Sequence, residues 1–102
     1  MLSAIAAIAA TTTLARADVT SVTTVNAVEY FSDSLLIQLS TGVNYVGVTS
    51  AVSGCTGNNQ SLDTLKLWTS MAQSALLSGK RLRIYFTTCS NISYINGLDL
   101  WN

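Results

Sequence analysis

The residues best suited to chemistry lie close together between positions 80 and 86, in the segment KRLRIYF. Side chains two positions apart share a face of an extended strand, so Arg81, Arg83 and Tyr85 are expected side by side, with Lys80 next to them. Guanidinium groups bind carboxylates and phosphates through paired hydrogen bonds, and an aromatic ring adds a face for stacking. The pattern therefore predicts a surface for a carboxylate-bearing sugar or a phosphate. The alternative is a charged strand edge that is only solvated.

The residue content argues against catalysis. The chain has no histidine, which excludes Ser-His-Asp and Cys-His systems and imidazole-ligated zinc. Its carboxylates lack the spacing of a paired acid and base or of a calcium loop, so each is interpreted as solvated surface charge. These carboxylates are Asp18, Glu29, Asp33, Asp63 and Asp99. The sequence therefore predicts a non-catalytic chain without cofactor or metal; an enzyme would need a serine or lysine nucleophile, such as Lys66 or Lys80.

The first 17 residues have the features of an export signal. Residues 2–14 are rich in Ala, Ile and Thr and carry no charge, and Ala15-Arg16-Ala17 has the small-x-small pattern of a signal-peptidase site. A transmembrane helix is the alternative, but about 13 weakly apolar residues are fewer than the roughly 20 that a bilayer requires. We therefore predict a signal peptide at residues 1–17, a single domain at residues 18–102, no membrane span, and a secreted or periplasmic location.

Charge and cysteine content narrow the partners and the covalent structure. Four basic and five acidic residues follow position 17, which leaves a net charge of −1. Such a chain has no positive field to attract a polyanion, so we expect no nucleic-acid partner. An oxidising compartment and only two cysteines predict a disulfide between Cys55 and Cys89. Free thiols or a metal site are the alternatives, and the lack of histidine disfavours a metal site.

The order of elements follows from residue types and turn signals. Residues 19–31, rich in Val, Thr and aromatics, predict a strand, and two more are expected at 35–40 and 43–49. Ser61 as N-cap and Gly79 as C-terminal glycine delimit a helix that ends at Ser78. Two further strands are expected from Lys80 to Cys89 and over 92–101, with a bulge at Asn96-Gly97.

This order, β-β-β-α-β-β, predicts a mainly β chain with one helix, in the form of a five-stranded OB-fold barrel. Valines at every third position, Val19, Val22, Val25 and Val28, fit neither a regular strand nor a helix. A long, coiled first strand with a bulge lets Val19, Val22 and Val25 all point inward, because each phase slip changes the buried face. A helix is the alternative for this segment, and its many β-branched residues disfavour it.

The helix has a wider apolar surface than one contact requires. Its apolar residues cover an arc of about 220°, more than a helix on a single surface needs. These residues are Leu62, Leu65, Leu67, Trp68, Met71, Ala72, Ala75 and Leu76. The arc is consistent with packing in the core alone, or with a second contact on the far side of the barrel or on a neighbouring subunit.

The segment from Gly79 to Phe86, GKRLRIYF, with the helix before it, resembles the G-x-x-V-R-I-Y-Y segment of the subtilase cytotoxin B-subunit family. These bacterial subunits belong to the AB5 toxins, whose secreted OB-fold chains form rings of five and bind cell-surface glycans. The resemblance covers 25 to 30 residues. It differs in two respects: Phe86 replaces the second tyrosine, and the cysteine spacing does not match the family's pairing. The resemblance makes Ser21 the nearest equivalent of a sugar-contacting serine.

The resemblance implies a secreted, non-catalytic module that binds a cell-surface glycan, forms a homo-oligomer such as the family's ring of five copies, and joins an enzymatic A-type subunit. The candidate ligand-binding residues are Ser21, Arg81, Arg83, Tyr85 and Phe86. The alternative is a stand-alone periplasmic or secreted OB-fold protein that binds a small ligand or a protein partner.

Overall fold

The computed structural model describes residues 18–55 and 57–102. The predicted signal peptide at residues 1–17 lies outside these ranges. Within them, no helix has the length and apolar character that crossing a bilayer requires.

The described part of the chain is mainly β with one helix, as the sequence predicts. Its elements are β1 Asp18–Val19, β2 Thr23–Phe31, β3 Ser34–Leu39, β4 Asn44–Val48, α1 Leu62–Ser78, β5 Arg81–Cys89 and β6 Ile92–Trp101. The order is thus β-β-β-β-α-β-β rather than the predicted β-β-β-α-β-β, because the expected first strand is divided into β1 and β2.

The division of the first strand arises from one extra residue. Val19 pairs with Tyr85 on β5, and Thr23 pairs with Leu82. Four residue steps on one strand therefore face three on the other, which interrupts the ladder. The main chain stays close to β5 across this interruption, because the Thr20 amide donates to the Ile84 carbonyl over 2.9 Å.

The strand pairings form a ring. Strands β2, β3 and β4 make an antiparallel meander, and β5 and β6 make an antiparallel hairpin. β5 also pairs with β1 and β2, and β4 pairs with β6 in parallel at Val46 and Tyr94. Pairing therefore runs β5-β2-β3-β4-β6 and returns to β5.

The predicted bulge on the last strand is confirmed. Tyr85 pairs with Gly97 and Phe86 with Ile95, so Asn96 is an extra residue in β6. The Asn96 side-chain oxygen accepts a hydrogen bond from the Thr87 hydroxyl over 2.6 Å, and Thr87 is buried. This bond gives a partner to the buried hydroxyl at the bulge.

The core lies between the inner faces of the strands and one side of α1. Its fully buried large side chains are Leu35, Ile37, Leu39, Leu65, Leu82, Ile84 and Ile95. Gly47 on β4 lets the helix approach closely, because a Cβ there would lie 2.8 Å from Leu65 Cδ2 and 3.8 Å from Trp68 Cε3.

The expectation that Val19, Val22 and Val25 all face inward is wrong for Val19. Val25 is buried, Val22 and Val28 are half-buried, and Val19 is 51% exposed. Residues directly opposite each other on paired strands share a face. Val19 is opposite Tyr85, which belongs to the outer face of β5, so Val19 points outward as well.

The helix has the predicted limits. Ser61 Oγ accepts a hydrogen bond from the Thr64 amide over 3.1 Å, and Gly79 ends the helix with φ +71°. Within the described residues, three leucines of the apolar arc stay exposed, Leu62, Leu67 and Leu76, and Leu77, outside the arc, is exposed as well.

The predicted disulfide between Cys55 and Cys89 is confirmed, with 6.0 Å between the two Cα atoms. It links the loop after β4 to the end of β5. The two regions are 34 residues apart in sequence, so the bond closes a large loop of the chain.

Candidate functional site

The outer face of the β5–β6 hairpin carries three consecutive cross-strand pairs. These are Arg81 with Trp101, Arg83 with Asp99, and Tyr85 with Gly97. Opposed residues on antiparallel strands have neighbouring side chains, and alternate positions share a face. The hairpin therefore places two arginines, a carboxylate and two aromatic rings together.

The centre of this group is the Asp99 carboxylate. Its Oδ2 atom accepts hydrogen bonds from Arg83 Nη2 over 2.7 Å, from Arg83 Nε over 3.2 Å and from the Tyr85 hydroxyl over 2.8 Å. The Arg83 and Asp99 side chains keep exposed fractions of 33% and 39%. The pair is thus accessible to a ligand as well as to solvent.

Two aromatic rings flank the Arg83 guanidinium. Its central carbon lies 5.4 Å from the centroid of the Tyr85 ring and 5.2 Å from that of the Trp101 ring. Both distances are within the range of cation–π attraction. We call Arg83, Tyr85, Asp99 and Trp101 the hairpin cluster.

The hydrogen bonds shift the ionisation of the central pair. Donation by Arg83, and then by the Tyr85 hydroxyl, holds the pKa of Asp99 below its ordinary value. The hydrogen bond to Asp99 raises the pKa of Arg83. Both shifts favour the charged forms, so the ion pair persists through the neutral range.

The bulge at Asn96 determines which residues meet. Cys89 pairs with Ile92 across a two-residue turn at Ser90 and Asn91, which have φ angles of 52° and 67°. Without the extra residue, continuation of that register would place Leu98 opposite Arg83. The bulge instead brings Asp99 to that position.

An open cleft of about 450 Å³ adjoins the hairpin cluster. It is lined by Met71, Leu98, Asp99, Leu100 and Trp101. Its wall is mainly apolar, and Asp99 and Trp101 belong both to this cleft and to the cluster. The volume lies within the range of small-molecule sites in proteins.

The structure brings only some of the predicted site residues together. Arg83 and Tyr85 are in contact in the hairpin cluster. Arg81 is on the same face beside Trp101, and its Nη2 donates to the Asn102 carbonyl over 2.8 Å.

The other two predicted residues are placed differently. Phe86 packs against the core, with its ring edge-to-face on Tyr45 at 5.1 Å. Ser21 is exposed in the segment between β1 and β2, beside the edge of β5 that faces away from β6. Neither residue has a contact with the cluster among those recorded for the described part of the chain.

Asp99 and Trp101 are the cluster residues that sequence reasoning missed. Asp99 was interpreted as solvated charge, whereas it is half-buried in an ion pair. The sequence does contain a signal for these pairs. If the two strands are paired outward from the Ser90-Asn91 turn, and Asn96 is treated as an extra residue in a bulge, Arg83 comes opposite Asp99 and Arg81 opposite Trp101.

No protein-family model, curated protein or solved structure matches the chain.

Proposed function

We propose that the chain is an exported, non-catalytic OB-fold module that binds a cell-surface glycan as a homo-oligomer, in the manner of AB5 toxin B subunits. The hairpin cluster is the observation that carries this proposal. Sugars present hydroxyl groups at their rim and C–H groups on their faces, so their sites need hydrogen-bonding side chains beside an apolar or aromatic surface. Arg83, Asp99 and Tyr85 supply the first requirement, and Trp101 with the adjoining cleft supplies the second.

The strand arrangement supports the OB-fold part of the proposal. An OB-fold is a five-stranded Greek-key barrel, partly open, with a helix between its third and fourth strands. If β1 and β2 are counted as one interrupted strand, residues 18–102 contain five described strands, with α1 after the third. The ring of pairings and the parallel contact of β4 with β6 agree with that arrangement.

The exposed leucines of α1 support an oligomer. Leu77 is 86% exposed and Leu67 is 59% exposed, on a helix whose other side packs in the core. Large exposed apolar side chains on a helix are one feature that a protein partner would cover. A ring of copies, with an enzymatic subunit as a further partner, would cover such a surface.

The alternative is a stand-alone secreted protein that binds a small ligand. The cleft of about 450 Å³ favours this possibility, because its size suits a small molecule. In that case the same cleft is used, but no glycan partner and no toxin assembly exist.

A glycan array with the purified chain tests the proposal. We expect binding to at least one glycan, and at least tenfold weaker binding after Arg83→Ala or Trp101→Ala, equivalent to about 1.4 kcal/mol or more. Ser21→Ala tests whether the serine implied by the resemblance contributes. Lys66→Gln, on the exposed surface of α1, is the control and should leave binding unchanged. Absence of binding to every glycan, with intact circular dichroism, would overturn the proposal.

A further inference from the structure

We propose that the hairpin cluster selects uncharged, hydroxyl-rich ligands and disfavours ligands that carry a carboxylate or phosphate. This inference rests on the proposed function and names the chemical class of its ligand. It reverses the sequence-based expectation, in which two arginines and a tyrosine would attract a carboxylate-bearing sugar or a phosphate. The reason is that Asp99 already occupies the place of the anion.

The Arg83 guanidinium is engaged on two of its three nitrogens. Nε and Nη2 both donate to Asp99 Oδ2, at 3.2 Å and 2.7 Å. An incoming anion could use the same paired donors only by displacing Asp99. It would also approach a carboxylate that stays ionised, since the pKa of Asp99 is lowered. Repulsion from Asp99 therefore opposes any gain from Arg83.

The remaining hydrogen-bonding capacity suits hydroxyl groups. Among the described residues, no partner is recorded for Asp99 Oδ1 or for Arg83 Nη1. The Tyr85 oxygen donates to Asp99 and can still accept. The cluster thus offers two acceptor atoms beside the three Arg83 N–H groups that Asp99 does not use, and a hydroxyl group can both donate to the acceptors and accept from Arg83.

The surroundings suit the C–H face of a sugar ring. Trp101 is 41% exposed, and Met71, Leu98 and Leu100 line the adjoining cleft together with Trp101 and Asp99. The Trp101 ring lies on the same face of the hairpin as Asp99, so a polyol ring can place its apolar face on Trp101 while its hydroxyl groups reach Asp99. A small inorganic anion has no apolar face and gains nothing from the same ring.

Arg81 is the remaining cation of this face. It lies opposite Trp101 and donates one hydrogen bond to the Asn102 carbonyl, and it is exposed. Residual attraction for anions should therefore depend on Arg81 rather than on Arg83. Arg81→Gln separates the two contributions.

The test uses isothermal titration calorimetry with the purified full chain to compare its affinities for matched neutral and acidic ligands. The probes are lactose, the same disaccharide capped with sialic acid, and inorganic phosphate, followed by other pairs of neutral and acidic sugars from the array. We expect each neutral member to bind at least tenfold more tightly than its acidic counterpart. Raising the salt concentration from about 50 to 500 mM should leave the neutral affinity unchanged, because no net ionic attraction is screened.

Asp99→Asn provides the sharpest variant. This variant should lower the affinity for the neutral probe at least fivefold. It should also favour the acidic member of each pair relative to the neutral one, because the positive charge of Arg83 is no longer neutralised by Asp99. Glu29→Gln removes one carboxylate from exposed β2 and is the matched control, with no change in the ratio of the two affinities. If Asp99→Asn fails to fold, the relative affinities of the unmodified chain for the neutral and acidic members of each pair still decide.

Preference for the acidic member of each pair would overturn this inference and leave glycan binding intact. Absence of binding to both members of every pair would instead overturn the proposed function, and the inference with it.

Discussion

At the scale of single residues, the chemistry of this chain depends on which group faces Arg83. An unpaired arginine beside an aromatic ring attracts anions, whereas the Arg83–Asp99 pair is locally neutral. The two arrangements share the same residue types in β5. The difference comes from one carboxylate sixteen positions later in the chain.

The ionisation of Asp99 provides a direct test of this pairing. Its pKa should be below the ordinary value of about 3.9, because Arg83 and the Tyr85 hydroxyl stabilise the charged form. A carboxylate whose pKa is lower in the folded state contributes stability above its unfolded pKa, and this contribution is lost as pH falls through the folded pKa. We therefore expect the contribution of Asp99 to the free energy of unfolding to be lost as the pH falls below about 4.

A carbon-detected NMR titration of the Asp99 carboxyl group measures this pKa, and Arg83→Gln should raise it. Denaturant unfolding of the chain and of Asp99→Asn should differ most near neutral pH and converge in acid. An Asp99 pKa at or above the ordinary value would contradict the pairing.

At the scale of elements, the close contact of α1 with β4 depends on Gly47. A Cβ at this position would lie 2.8 Å from Leu65 Cδ2, and Leu65 is fully buried. Leu65 has little space to move away, so the contact is a steric limit on residue 47. Any larger residue at position 47 would prevent the helix from packing this close to the strand.

Gly47→Ala should therefore destabilise the fold by about 1 to 3 kcal/mol, the usual cost of overpacking a core. Leu65→Ala alone should cost about 2 to 5 kcal/mol, because it leaves a cavity. The double variant should cost less than the sum, since the added methyl group enters that cavity. Urea unfolding of the four proteins measures the coupling, and strict additivity would show that Gly47 and Leu65 do not meet.

The disulfide stabilises the same architecture from outside the core. It closes a loop of 34 residues between the segment after β4 and the end of β5. Replacing both cysteines by serine should lower the free energy of unfolding by about 3 to 4 kcal/mol, on the chain-entropy account. Chemical denaturation with and without reductant measures this, and the double serine variant should be insensitive to reductant. Equal stability of the oxidised and reduced chains would contradict the prediction.

At the scale of the whole molecule, the exposed leucines of α1 are a feature that the core formed by the described residues does not explain. If these leucines form the contact between copies, the mass in solution should be a multiple of the monomer mass. For a toxin-like ring it should be near five times the monomer mass. Light scattering of the purified protein at two concentrations measures this mass. A monomer at both concentrations would contradict the homo-oligomer.

Variants locate the contact. Leu67→Gln combined with Leu77→Gln should shift the protein towards the monomer, because a buried apolar contact becomes polar. Val43→Gln makes the same kind of change at another exposed apolar side chain, outside the helix, and should leave the mass unchanged. An oligomer that survives the double leucine substitution would place the contact elsewhere.

The sequence alone determined the local features. The limits of α1 follow from Ser61 and Gly79, and the bulge from Asn96-Gly97. Caps, turns and bulges depend on a few neighbouring residues, so their signals are contained in short segments. With two cysteines in the whole chain, the disulfide had one possible pairing within it.

Only the tertiary structure decided the features that depend on register and on which surfaces meet. It turned Val19 outward, placed Phe86 against the core and paired Asp99 with Arg83. One additional residue in a strand moves the following side chains to the other face, so small local irregularities have distant effects. The identity of the group opposite Arg83 was therefore a property of the folded hairpin, not of either strand alone.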